Sequence, residues 1–137
     1  MTGKLVALAG LALAMAGCTA SEGRLDSLRG LAPAASVQVA AGYREASSCL
    51  IDQELRRSYQ VIPNLRDVEH RATLTGYYNV GAGRHQQQQL YFEYEVTETG
   101  AGTSRISIKR ASYIRWSEAA DARLAQDMAT CRIALRG

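Results

Sequence analysis

The chain has 137 residues, 47% of them hydrophobic and 21% charged, with sixteen Lys and Arg against thirteen Asp and Glu. That length leaves room for one domain, and ordinary charge content with seven Tyr excludes a disordered chain. No apolar run reaches about 18 residues, which excludes a polytopic membrane protein, and a net charge of +3 is too small to imply a nucleic-acid partner.

Lys4 is the one charged side chain before Cys18, and residues 5–16 form an unbroken run of small and apolar residues. A charged start, an apolar stretch too short to span a bilayer, and small residues before a cysteine make a secretory signal. Met15-Ala16-Gly17-Cys18 resembles the bacterial lipobox, with Met where Leu is more usual. The resemblance implies diacylglyceryl transfer to the Cys18 sulfur and cleavage before it, so that residues 1–17 are a signal peptide and the mature chain carries a net charge near +2. Thr19 stands where enterobacterial lipoproteins retained in the inner membrane carry Asp. By the same resemblance, the expected location is the periplasmic face of the outer membrane, with the lipid as the membrane contact.

Residues 19–36 are rich in small residues with scattered charge and have no clean period. They are expected to form a flexible tether with a root-mean-square reach of about 23 Å, at roughly 5.5 Å × √n. Leu25, Leu28 and Leu31 recur every three residues, and a short docked helix closed by Pro33 is the alternative.

The expected domain covers residues 37–137. Ser36 is a candidate cap for a helix over residues 37–57, with Val39, Tyr43, Ala46, Cys49, Leu50 and Gln53 on one stripe. Four stretches with a two-residue beat follow: residues 58–62, stopped by Pro63; residues 68–78, with Val68, His70, Ala72, Leu74 and Tyr78 on one face; residues 88–97, the clearest; and residues 103–113. Gly-rich segments at 79–87 and 98–102 separate the last three. A second helix starts at the candidate cap Ser117 and carries the stripe Ala120, Leu124, Met128, Cys131, Leu135. The expectation is an α+β fold of order α-β-β-β-β-α. Since neither helix joins two strands, it is a four-stranded antiparallel sheet with both helices on one apolar face.

Cys49 and Cys131 fall on the buried stripes of the two helices. Helices side by side on one sheet face pack about 8–10 Å apart, close enough for facing cysteines to bridge in an oxidising compartment. Two buried thiols are the alternative. A metal site is not expected, because the two cysteines and His70 and His85 lack ligand spacing.

No catalytic set is expected and no cofactor motif is present. His70 and His85 have no partner that spacing identifies, and Gly81-Ala82-Gly83-Arg84 matches no phosphate-loop pattern. Glu93 and Glu95 share the outward face of one strand and Arg105 and Lys109 that of the next, which reads as cross-strand charge pairing. Tyr77 and Tyr91 join them as exposed aromatics. These six residues are the candidate interaction surface.

The chain as a whole is similar to small proteobacterial lipoproteins of unassigned function, on Met15 to Cys18, Ser48-Cys49-Leu50 and Thr130-Cys131-Arg132. By element order alone it also resembles the helix-grip or TBP-like layout of accessory lipoproteins in outer-membrane assembly machinery, which carries no site across. The expected function is a non-enzymatic binding or adaptor module for an envelope protein or peptidoglycan. The alternatives are a carrier for a small apolar ligand enclosed by Tyr78, Phe92, Tyr94 and Met128, or a hydrolase using His70 or His85.

Overall fold

The computed structural model describes residues 24–57, 60–81, 83–111 and 118–136. In chain order these form a helix at residues 24–29 (α1), β1 (Ala35–Val39), α2 (Tyr43–Leu55), β2 (Gln60–Arg66), β3 (Arg71–Val80), β4 (Gln87–Gly100), β5 (Thr103–Arg110) and α3 (Glu118–Ala134). The expected signal and lipobox with Cys18, Ser58 and Tyr59 of the first expected strand, Tyr113, Trp116 and the candidate cap Ser117 lie outside the described residues.

The first departure from expectation lies where two periods compete. Val39 and Tyr43 have a helical spacing, but Val37 and Val39 also alternate with Ser36 and Gln38, and β-branched residues favour a strand. Residues 35–39 are therefore β1, and Gly42 is the N-cap of a helix that starts only at Tyr43. Ser36 caps nothing; its hydroxyl meets that of Ser107 across the β1–β5 pair at 2.9 Å.

The sheet order is β1-β5-β4-β3-β2, antiparallel throughout. It has five strands rather than the expected four, and α2 does join two strands, since it carries the chain from the β1 edge to the β2 edge. β2 runs through Pro63, where a strand end was expected, because an edge strand tolerates a missing ladder donor. The other strand expectations stand with shifted ends. The β4–β5 hairpin turns at Ala101 and Gly102, whose φ of 69° suits glycine.

One face of the sheet carries the main core. Ala72, Leu74, Phe92, Tyr94, Val96, Ile106 and Ile108 meet Tyr43, Ala46 and Leu50 of α2 and Leu124, Met128 and Cys131 of α3, as the two stripes predict. The other face is partly covered, which four strands and two helices did not anticipate. Leu28 of α1 is buried against Leu90 and Ala111, with Leu25 and Tyr77 at the margin. Arg29 then forks onto Glu93, with Nε and Nη2 donating to the two carboxylate oxygens at 3.0 and 2.9 Å. Within the expected tether, residues 24–29 thus form a docked helix, as the alternative reading has it, but that helix ends before the exposed Leu31 and before Pro33, and residues 35–36 belong to β1.

A β-bulge separates the two cores. Gly76 pairs with Phe92 and Tyr77 with Leu90, leaving Tyr91 as the extra residue on β4. The bulge puts Tyr91 against the main core, 5.5 Å from the Tyr78 ring, whereas strict alternation placed it outward.

Phe92 lies over Gly76 so closely that a Cβ there would sit 2.3 Å from the ring's Cζ, and Phe92 is fully buried. Gly76→Ala is expected to destabilise the domain by about 1–3 kcal/mol through overpacking. Gly42→Ala, which meets nothing within 4 Å, is expected to cost less, no more than about 1 kcal/mol from the poorer N-cap. Urea midpoints of the two variants check this, and equal midpoints would refute it.

Candidate functional site

The partly covered face ends in a recess of about 310 Å³ beside α1. Alternation on β3 sends Arg71 and Thr73 to this face while Ala72 and Leu74 enter the core. Glu93 and Glu95 of β4, Lys109 of β5, Arg66 at the end of β2 and Arg29 complete the lining. Four cations therefore meet two carboxylates, with a third, Glu69, at the rim, where it bridges Arg66 at 3.2 Å and Arg71 at 3.4 Å. Glu93 is taken by Arg29 and by the Thr75 hydroxyl, which donates to it at 3.0 Å. The Lys109 ammonium donates to the Arg29 carbonyl at 2.5 Å. Arg71 Nε and Thr73 Oγ1 are buried in this region with no hydrogen-bond partner among the described residues. Buried donors are normally satisfied, so a cationic recess with two orphaned donors has the chemistry of an anion-binding site.

The candidate surface is thus brought together only in part. Glu93, Glu95 and Lys109 line the recess; Arg105 lies exposed further along the same face; Tyr77 is absorbed under α1, and Tyr91 belongs to the opposite side of the sheet. The expected cross-strand charge pairing of Glu93 and Glu95 with Arg105 and Lys109 does not form among the described residues: Glu93 lies opposite Lys109 but is ion-paired to Arg29, Glu95 lies opposite Ser107, and Arg105 lies opposite Thr97. Arg29, Arg66, Arg71 and Thr73 were missed as site residues. The outward placement of Arg71 and Thr73 was legible in the β3 alternation, but Arg29 needed the docking of α1 and Arg66 the continuation of β2 past Pro63.

A second polar cluster lies between the helices and the sheet. Glu54 of α2 and Asp127 of α3 are fully buried neighbours, and Tyr94 donates to Glu54 Oε1 at 3.0 Å. Arg57 forks onto Asp127 at 2.7 and 2.8 Å. Burial, and then the neighbouring Asp127, push the Glu54 carboxyl up to about 8. Burial likewise drives the Tyr94 hydroxyl far above its ordinary range, which keeps it a donor. These carboxyl groups are closed to solvent, so the cluster holds α2 and α3 to β4 and receives no ligand. The Cys49–Cys131 disulfide is formed beside it, with the Cα atoms 5.8 Å apart.

The histidines are placed apart from both clusters. His70 is not on the inward strand face; it ends a turn at φ 49°, and its exposed ring bonds Glu98 at 2.7 Å. The expected alternation failed because β3 begins only at Arg71. Tyr43 stands 5.9 Å from that ring with its hydroxyl donating to Asp67, a bond that holds the Asp67 carboxyl below the usual carboxylate range. His85 is exposed in the β3–β4 connection. Among the described residues no three His, Cys, Asp or Glu are grouped to hold a metal ion.

The residues proposed for an apolar cavity do not enclose one. Phe92 and Tyr94 are buried and stacked edge to face at 5.3 Å, while Tyr78 is 41% exposed. The recess that Met128 does line, about 180 Å³, is bounded by Ala34, Ile108 and Leu124 among others, and is below the roughly 300–1,000 Å³ of small-molecule sites. Among the described residues no helix is long and apolar enough to cross a membrane. No protein-family model matches the chain, and no curated protein matches it as a relative.

Proposed function

We propose that the chain is a lipid-anchored envelope binding module. It is held by an acylated Cys18 at the periplasmic face of the outer membrane and binds an anionic group of an envelope component in the recess beside α1. The observation that carries this is the pair of buried donors with no partner among the described residues, Arg71 Nε and Thr73 Oγ1, in a recess lined by Arg29, Arg66, Arg71 and Lys109. Phosphate and carboxylate oxygens are the acceptors that guanidinium groups match best. The Cys49–Cys131 disulfide supports an exported, oxidised location. The lipobox resemblance of Met15 to Cys18 supports the anchor.

In-cell photo-cross-linking tests this reading. A photoreactive residue at Arg105, exposed on the recess face, is expected to capture an envelope component, and the capture is expected to vanish in an Arg66→Gln, Arg71→Gln variant. The mass of the same purified protein is expected to show an acylated chain starting at Cys18. Capture no different between parent and variant would overturn the recess as the binding site, and a mature chain retaining Met1 would overturn the anchor.

A further inference from the structure

The recess holds both signs of charge in a defined arrangement. Thr73 and Glu95 are direct cross-strand partners and make its floor, while Arg66 and Arg71, also direct partners, stand at one end. Like charges opposite one another repel. Glu69 reaches both guanidinium groups, but one carboxylate shared by two leaves a positive charge over. The charge of Lys109 is likewise directed to a carbonyl and not to a carboxylate. Glu95 is the converse: its described hydrogen bond is a long one from the Thr97 hydroxyl at 3.5 Å, and no ion pair reaches it among the described residues. A simple anion would answer the cations and the two orphaned donors but would repel Glu95. A group carrying a phosphate and a primary ammonium answers all of them. Its phosphate oxygens accept from Arg71, Lys109 and Thr73, and its ammonium donates to the Glu95 carboxylate.

The position of the recess decides the source of that group. Cys18 lies six residues before Arg24, the first described residue of α1, and six Cα steps reach no more than about 20 Å. The domain itself is about 30 Å across, from the size scaling of compact chains. An anchor shorter than the domain keeps the α1 side toward the bilayer, and Arg29 at the end of α1 is a wall of the recess. Headgroups of the anchoring leaflet are therefore presented to the recess at the high effective concentration of a tethered ligand.

We infer that the recess seats the phosphoethanolamine headgroup of a lipid in the leaflet that holds the Cys18 acyl chains, with the phosphate on Arg71, Lys109 and Thr73 and the ammonium on Glu95. This rests on the lipid-anchored binding reading above and names its ligand. It converts the domain from a body on a free tether into one seated face-down on the membrane, with α2 and α3 turned outward.

Lys109 is the one lysine after Cys18, so its acylation by a water-soluble amine reagent, in excess over lipid amine and read by peptide mass, reports on the recess. The acylated protein is reconstituted in phosphatidylcholine vesicles with and without phosphatidylethanolamine. Phosphatidylethanolamine is expected to slow Lys109 acylation about tenfold, as a ligand well above its dissociation constant does. Glu95→Gln is expected to erase the difference between the two vesicles, and Arg71→Gln to remove protection altogether. Soluble O-phosphoethanolamine is expected to protect only at much higher concentration. Equal rates in the two vesicles would overturn the inference, as would stronger protection by phosphatidylglycerol. If Lys109 is nevertheless protected by inorganic phosphate and the in-cell capture still depends on Arg71, the wider reading stands without the headgroup. Loss of all three removes both.

Discussion

Replacing Cys49 and Cys131 together by alanine is expected to lower the melting temperature of the domain by about 15–25 °C, the largest effect of any change considered for this chain. The bridge closes a loop with a sequence separation of 82 residues, spanning four of the five strands. In the chain-entropy account such a loop contributes about 4–5 kcal/mol by restricting the unfolded chain. The bridge also joins the two helices at the edge of the core, with Cys131 fully buried in the cluster of Leu50, Leu124 and Met128 and Cys49 partly buried against it. Melting curves of parent and double variant, with and without reductant, check the prediction. Reductant is expected to bring the parent down to the variant and to leave the variant unmoved. Coincident curves for the parent in both conditions would refute it.

Stability is expected to fall as pH rises from about 5 to 8, and Glu54 is the reason. Its carboxyl titrates near 4.5 in the unfolded chain and is pushed up to about 8 in the fold by burial and by Asp127. In that window the folded state holds a proton that the unfolded state releases, so the stabilisation is complete below the lower value and is lost through the upper one. The change across the window is on the order of 3 kcal/mol. Geometry gives the same reading. Glu54 Oε2 is buried without a donor among the described residues, and a proton shared with Asp127 supplies one. Glu54→Gln keeps an acceptor for the Tyr94 hydroxyl and a donor for Asp127, so its denaturation midpoint is expected to be flat between pH 5 and 8. Arg57→Ala is expected to cost about 3–5 kcal/mol at pH 8, because it strips the forked guanidinium from the buried Asp127 carboxylate. Denaturation midpoints across pH check both variants, and a parent profile that is flat or rises toward pH 8 would refute the argument.

Neither of these clusters was legible in the same way. The disulfide was readable, because a helical period places Cys49 and Cys131 on apolar stripes and two helices on one sheet face must be neighbours. The Glu54–Asp127 pair was not. Glu54 lies one position beyond the apolar stripe ending at Gln53, and nothing in a helical pattern announces that a carboxylate there will meet another from a helix more than seventy residues away. The site divides similarly. Glu93, Glu95 and Lys109 follow from alternation along β4 and β5, and Arg71 and Thr73 from alternation along β3. Arg29 does not, because its place depends on Leu28 finding Leu90 and Ala111 from an entirely different part of the chain.

Local pattern by itself determined the α+β class, the antiparallel sheet, the α3 stripe and the cysteine pair, since each depends on a period of 2 or 3.6 over a run long enough to be unambiguous. Tertiary structure alone decided the rest. β1 is five residues long and became a strand because the β5 edge offered Val37 and Val39 partners. Tyr91 changed sides because one extra residue entered β4 opposite Gly76 and Tyr77. Residues 24–29 of the expected tether became α1 because a second apolar patch on the sheet needed covering. In each case the deciding contact is made by residues distant in sequence, and the free energy of that contact outweighs the weak preference of a short local stretch.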